Sequence, residues 1–211
     1  MRPYYRMMRY FCQVGFLCGF RGRMFGVHNV PRDGGALLVS NHQSFLDPVL
    51  SALGLPRECH FMARDSLFKQ SAFRWLIDSL NAFPVKRGEG DIGAIKETLR
   101  RLKKGAIITV FPEGTRTPNG SIQPMRSGVI MVARKAKVPV VPMVILGAYK
   151  AWPRQRKLPI PLSPVVVAYG DPIPPEILAK VDEQTCLKMV RDQMDVLMDR
   201  YQDHSMLQAN R

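Results

Sequence analysis

Past residue 34 the chain alternates short, nearly unbroken apolar runs with segments whose apolar residues recur every three or four positions. The runs at 36–40, 59–63, 82–85, 106–111, 140–146 and 165–169 predict strands. None shows the in-out alternation of a half-solvated strand, so each is expected to be covered on both faces. The segments between them predict helices. Segment 48–53 opens on the Asp47-Pro48 pair, read as an N-cap and a proline at the first helical position. Segment 65–80 is moderately amphipathic, and 127–136 precedes VPVVPM. Segment 92–104 spaces Ile92, Ile95, Leu99 and Leu102 by three, four and three, and stops at Gly105. Leu187, Val190, Met194, Leu197 and Tyr201 keep the same rhythm in a long terminal helix. The alternation predicts an α/β fold: one domain with a mixed, largely parallel sheet flanked by helices. Two prolines in VPVVPM, residues 138–143, suggest a sheet edge or the entry to a strand. KLPIPLSP, residues 157–164, reads as a proline-rich loop, and 170–175 as another.

The N-terminus breaks this rhythm. MRPYYRMMRYFCQVGFLCGFRGR is rich in aromatic and aliphatic residues, but its uncharged span, 10–20, is too short to cross a bilayer. No small-x-small cleavage site follows it, which argues against a signal peptide. Wound as a helix, it lines up Arg2, Arg6, Arg9 and Gln13 on one stripe. That pattern predicts an amphipathic helix lying in a membrane interface with its arginines toward lipid phosphates. The competing arrangement docks the helix on the protein's own core, with the arginine stems snorkelling. The layout expected is a membrane-associating segment over 1–30 and the α/β domain over 31–211.

Charge narrows the partners. The 211 residues carry 31 Lys and Arg against 17 Asp and Glu, a net charge of +14. A surface that basic attracts polyanions: nucleic acid, anionic membrane or phosphorylated small molecules. No nucleic-acid-binding motif or aromatic-basic strand accompanies the charge, so nucleic acid is set aside. The four cysteines form no CxxC pair and no metal-ligand spacing, and read as reduced thiols of a cytosolic compartment. Cys59 opens an apolar run and reads as core rather than as a nucleophile.

The candidate chemistry follows two apolar runs. SNHQSFLDP, residues 40–48, sets His42 and Asp47 five positions apart just past a strand, where α/β folds display functional groups. Asp47 alone is explained by capping. Together the two suggest an imidazole base oriented by a carboxylate, with Asn41 fixing the loop. No G-x-S-x-G elbow supplies a serine nucleophile, so the base would act directly on a substrate hydroxyl. FPEGTR, residues 111–116, offers a sharp turn, the Glu113 carboxylate and the planar fork of Arg116, suited to phosphate. A turn with a surface ion pair is the structural alternative. FPVKRG, residues 83–88, ends in Lys86 and Arg87, a weak signal alone.

NHQSFLD, FPVKRG, FPEGTR and VPVVPM, in this order, resemble the blocks of the glycerolipid acyltransferase family, specifically the 1-acyl-glycerol-3-phosphate (lysophosphatidic acid) acyltransferases. The first and third blocks carry the resemblance over about 34–146; Thr117 and Met143 are its departures. It implies transfer of a fatty acyl group from acyl-CoA or acyl-carrier protein to a lysophospholipid hydroxyl, giving phosphatidic acid. His42 is implied as general base, Asp47 as its orienting partner and Asn41 as loop support. Arg87, Glu113, Gly114, Thr115 and Arg116 are implied at the acceptor site, with the arginines on phosphate. No metal or cofactor is expected beyond the acyl donor. The expected setting is an anionic membrane surface on the cytoplasmic face, held peripherally or monotopically. Acylation of another lysolipid or an aminolipid, and a non-catalytic lipid-binding scaffold, stand as the alternatives.

Overall fold

All six apolar runs form strands, and a seventh joins them, in a computed structural model that describes residues 1–69, 71–85 and 91–206. The strands are β1 (Arg23–Phe25), β2 (Ala36–Ser40), β3 (Cys59–Arg64), β4 (Ala82–Val85), β5 (Ile107–Val110), β6 (Val140–Leu146) and β7 (Val166–Tyr169). They make one sheet in the order β1-β7-β6-β2-β5-β3-β4. Every pairing is parallel except β6 with β7. The helices are α1 (Pro3–Phe20), α2 (Asp47–Leu53), α3 (Ser71–Ser79), α4 (Ile92–Lys103), α5 (Gly128–Ala136), α6 (Ala148–Ala151), α7 (Pro175–Lys180) and α8 (Glu183–Met206).

Strands β2, β5, β6 and β7 are buried along their whole length, because alternate residues feed two separate cores. Leu37, Val39 and Ile108 pack with Leu102 of α4, Ile130 of α5 and Val190 and Met194 of α8. Ala36, Leu38 and Ile107 turn the other way, onto Leu50 and Leu53 of α2 and Phe16 of α1. Both faces being covered, these strand positions are almost all apolar, Ser40 and Thr109 excepted, and the period-two signal vanishes.

Three expectations change. The helix expected over 65–80 divides: Asp65–Lys69 is a 3-10 turn and α3 starts at Ser71. Asp65 accepts the Ser66 N–H at 2.8 Å, tightening the chain directly after β3. VPVVPM is not an edge strand but does hold a strand entry: Val138 and Pro139 lead into β6, which lies inside the sheet, between β7 and β2. Pro142 is tolerated there because it pairs with β2 one step before the β7 ladder begins at Met143. Its carbonyl accepts the Gly170 N–H at 2.7 Å where β7 has already ended. The third change concerns α1.

Helix α1 is turned opposite to the expectation of arginines facing lipid. Three members of its polar stripe, Arg2, Arg9 and Gln13, bond to the protein, while Arg6 is exposed. Arg2 donates to Glu58, to the Ser79 carbonyl and to Asn81; Arg9 donates to the Leu55 carbonyl; Gln13 donates to the Leu53 carbonyl at 2.6 Å. The carbonyls of Leu53 and Leu55 lie at the C-terminal end of α2, where backbone acceptors lack helical partners and carry partial negative charge. Tyr5 and Phe16 are buried beside this stripe. Gly22 follows the helix directly beneath the Phe16 ring, where a side chain would collide with the ring. Beside Arg6, the outer side is largely apolar: Met7, Tyr10, Phe11, Val14 and Leu17 form an exposed stripe, with Phe11 74% accessible. Spacing alone located the two faces but not their direction, because bonding to α2 carbonyls is a tertiary event.

Candidate active site

Strands β2 and β5 are parallel neighbours with Val39 opposite Val110, so the chain leaves both in the same direction, side by side. Residues 42 and 113 therefore meet two or three positions beyond the sheet. The His42 N–H donates to Glu113 Oε1 at 2.8 Å, and the His42 carbonyl accepts the Thr117 N–H at 2.8 Å. Glu113 of the FPEGTR turn and Thr117 just after it thus grip the backbone of His42 from both sides. Gly114 holds φ +71° in this turn, a left-handed conformation that a side chain would strain. On the opposite flank, Asn41 reaches β6. It donates Nδ2–H to the Ile145 carbonyl at 2.9 Å and accepts the Ile145 N–H at 2.8 Å. This buried two-bond clamp makes Asn41 a strut between β2 and β6, and it does not bond its own loop backbone as the sequence suggested.

Asp47 is fully buried, and its position corrects the capping explanation. It is the first residue of α2 and makes no side-chain cap bond to that helix. Its Oδ2 instead accepts the N–H groups of Gln43 at 2.5 Å and Ser44 at 2.7 Å. Thus the carboxylate folds the loop before the helix. The same oxygen lies 2.8 Å from His42 Nδ1. An oxygen already accepting two N–H groups takes a third donor there, so Nδ1 carries the proton and Nε2 keeps its lone pair. The imidazole also stacks on Phe111, with centroids 4.3 Å apart. Burial pushes the Asp47 carboxyl above its ordinary value, against the hydrogen bonds from His42, Ser44 and Gln43 that hold it down.

Glu113 is buried too, and burial raises its carboxyl from 4.5 to about 7, with the Asp47 charge adding and the His42 and Gln123 N–H groups opposing. The folded protein therefore holds this proton more tightly than the unfolded chain. The stability this gives is full below about pH 4.5 and is lost as pH rises through about 7. Measured against Glu113→Gln, wild type is expected to lose relative thermal stability across that window. Melting curves of both proteins on either side of it check this; a constant offset would refute it.

A groove of about 430 Å³ opens beside His42. Met62, Val85, Ile95, Val129 and Met131 give it apolar walls, while Arg64 and Arg126 bring positive charge to it. Neither arginine was among the sequence candidates. Arg64 was within reach, since it ends β3 on the edge that also carries His42 and Glu113; Arg126, beyond the FPEGTR turn, had no comparable signal. Arg116 lies outside the groove lining among the described residues. Its guanidinium stacks 3.4 Å from the ring centroid of Phe45, at the rim of the His42 loop. Thr115 is exposed on the same turn. Arg87 and its neighbour Lys86 fall outside the described residues. Cys59 is buried on β3, bonded to Thr109 at 3.2 Å, and burial pushes its thiol up to about 11, consistent with a core residue.

Comparison with known proteins bears on this arrangement. The sequence profile of the Acyltransferase family matches residues 23–146. The chain is 34% identical over 131 residues to a chloroplastic 1-acyl-sn-glycerol-3-phosphate acyltransferase of Brassica napus, covering 61% of this chain and 38% of that one. It is 31% identical over 186 residues to human 1-acyl-sn-glycerol-3-phosphate acyltransferase alpha, covering 86% of this chain and 65% of the relative. Thus it spans roughly two fifths to two thirds of the length of the curated relatives it matches. Among solved structures it is similar to the 1-acyl-sn-glycerophosphate (LPA) acyltransferase PlsC of Thermotoga maritima. The TM-score is 0.79 at 28% identity, covering 94% of this chain and 79% of that one.

Proposed function

This chain belongs to the Acyltransferase family, and from that premise we propose that it transfers a fatty acyl group from a thioester to the free hydroxyl of 1-acyl-glycerol-3-phosphate, yielding phosphatidic acid. The observation that carries the proposal is the His42–Asp47 pair, held in the loop between β2 and α2, braced by Glu113 from the neighbouring parallel strand β5, and open to a groove that is apolar along its walls and cationic in part.

Each step maps to a group already placed. Asp47 fixes the Nδ1–H tautomer, so Nε2 faces outward as the base. Nε2 takes the proton from the acceptor hydroxyl as its oxygen attacks the thioester carbonyl. The tetrahedral intermediate collapses by breaking the C–S bond, and the departing thiolate recovers the proton from His42. Asp47 stabilises the imidazolium in between. A thioester is already activated, so no covalent enzyme intermediate is required. Arg64 and Arg126 bring charge to the acceptor phosphate, with Arg116 at the rim. The resemblance adds Arg87. Glu113 serves by holding the His42 backbone, whatever contact it also makes with a glycerol hydroxyl. The apolar walls take an acyl chain. The donor is acyl-CoA or acyl-carrier protein, and no further cofactor enters.

The acceptor resides in a membrane, and α1 supplies the contact. None of the described helices is long and apolar enough to cross a bilayer. The exposed stripe from Met7 to Leu17 favours a helix lying in the interface of an anionic membrane, peripheral or monotopic, on the cytoplasmic face. The membrane-associating segment expected over 1–30 then ends before β1, whose pairing with β7 puts it in the acyltransferase domain. Phe11→Asp with Leu17→Asp is expected to cut binding to anionic vesicles by about tenfold or more. Both side chains are exposed, so folding is unaffected. Co-sedimentation with circular dichroism of the same samples checks both points.

The reaction is tested by offering wild type a labelled acyl-CoA, then acyl-carrier protein, with lysophosphatidic acid and a panel of other lysolipids. Labelled phosphatidic acid supports the proposal. Product only from another acceptor would reassign the substrate, and none from any pair would leave the scaffold alternative.

A further inference from the structure

The proline-rich loop between α6 and β7 has no part in the chemistry above. Its backbone is pinned at several points. The Ile160 N–H donates to the Ala151 carbonyl at 2.7 Å, the Leu162 N–H to the Gly19 carbonyl of α1 at 2.6 Å, and Trp152 Nε1–H to the Arg156 carbonyl at 3.0 Å. Its side chains are not packed away. Leu158 is 73% exposed and Leu162 52%, with Ile160 exposed between them. Leu162 also holds φ +58°, a conformation costly for a branched side chain. A leucine that is neither buried nor relaxed contributes little to the fold. Three cations, Arg154, Arg156 and Lys157, stand exposed just before it, and residues 152–164 contain no acidic residue.

The loop also joins two surfaces already described. Through Gly19 it abuts the end of α1, next to the exposed Leu17. Through Trp152 it meets the His42 loop: Ser44 Oγ donates to the Trp152 carbonyl at 2.9 Å, and the Trp152 and Phe45 rings lie 5.7 Å apart. Phe45 is itself 55% exposed and carries the Arg116 guanidinium. An apolar rim therefore runs from α1 through residues 158–162 to the opening beside His42, with the basic side chains along it.

We propose that residues 152–162 form a second membrane contact. Leu158, Ile160 and Leu162 enter the apolar layer, and Arg154, Arg156 and Lys157 meet acidic headgroups, so that the rim beside His42 faces the lipid surface. The inference rests on the membrane reading of α1 only for the continuity of the two surfaces. It does not depend on which lysolipid is acylated.

The chain has two tryptophans, so Trp75→Phe leaves Trp152 as a reporter inside the loop. The full-length variant is mixed with phosphatidylcholine–phosphatidylglycerol vesicles whose acyl chains are brominated. Quenching of Trp152 is expected, and Leu158→Asp with Leu162→Asp is expected to reduce both quenching and the vesicle-bound fraction by about tenfold. Aspartate accepts the left-handed conformation at 162, so the fold is preserved. Turnover of a monomeric short-chain acceptor by this double variant is expected to match its parent. Unquenched Trp152 on protein that sediments with the vesicles would overturn the proposal, leaving α1 as the sole contact. So would a double variant that binds as well as its parent, or a lipid-free dimer that the same substitutions dissociate, which would assign the face to a second copy. Binding is read without turnover, so a failed acyl-transfer assay leaves this result standing.

Discussion

His42→Ala is expected to slow acyl transfer by about 100- to 10,000-fold, the range that removal of a general base produces, in a protein that still folds. Folding survives because the bonds that organise residue 42 are made by its main chain: its N–H to Glu113 and its carbonyl to Thr117. Alanine keeps both. Asp47 retains the N–H groups of Gln43 and Ser44, so it is not left stranded in the interior. What disappears is the lone pair at Nε2, the Nδ1 bond to Asp47 and the stacking on Phe111. Initial rates with labelled donor, paired with a melting curve, separate the two effects. A folded variant with wild-type turnover would move the proton transfer to another group.

Two substitutions at Asp47 are expected to part fold from chemistry. Asp47→Ala strips the acceptor from two buried backbone N–H groups and from the imidazole. At about 1–3 kcal/mol for each buried donor left unmade, stability should fall by about 2–6 kcal/mol and activity with it. Asp47→Asn keeps an acceptor oxygen for the loop but removes the negative charge. That variant is expected to melt near wild type and still lose about 100- to 10,000-fold in rate, through an unsupported imidazolium or an inverted tautomer. Chemical denaturation and initial rates of both variants check this. Were Asp47→Asn fully active, the carboxylate would be serving the loop alone.

The sheet was legible because its strands are buried on both faces, which writes them as continuous apolar runs; β4 and β6 begin and end where the pattern does. Three-residue β1 carries no such run, since as an edge strand it is covered less and its residues read as ordinary surface. The pair His42 and Asp47 was visible as a pair, but the Asp-Pro signature suggested a helix cap. Local spacing cannot reveal that the aspartate bonds backward into the loop. Arg64 stood one residue beyond a predicted strand and still went unread, because only the fold order β2-β5-β3 places that strand end beside His42. Arg2, Arg9 and Gln13 of the α1 stripe were correctly grouped and wrongly aimed, while Arg6 stays exposed. Which way an amphipathic helix turns depends on what acceptors the rest of the chain presents.

The position of β1 has a consequence for how the molecule comes into being. Its partner is β7, and Arg23 lies opposite Val166, about 140 residues later in the chain. During synthesis at about 5–20 residues per second, that edge waits on the order of ten seconds for its neighbour. Tyr5 meets Cys59 and Arg9 meets Leu55 far sooner. The N-terminal helix can thus be seated on the nascent domain, apolar side outward, while the sheet is still open at that edge. If α1 contacts lipid as proposed, a chain emerging near a bilayer would meet it before its last strand exists.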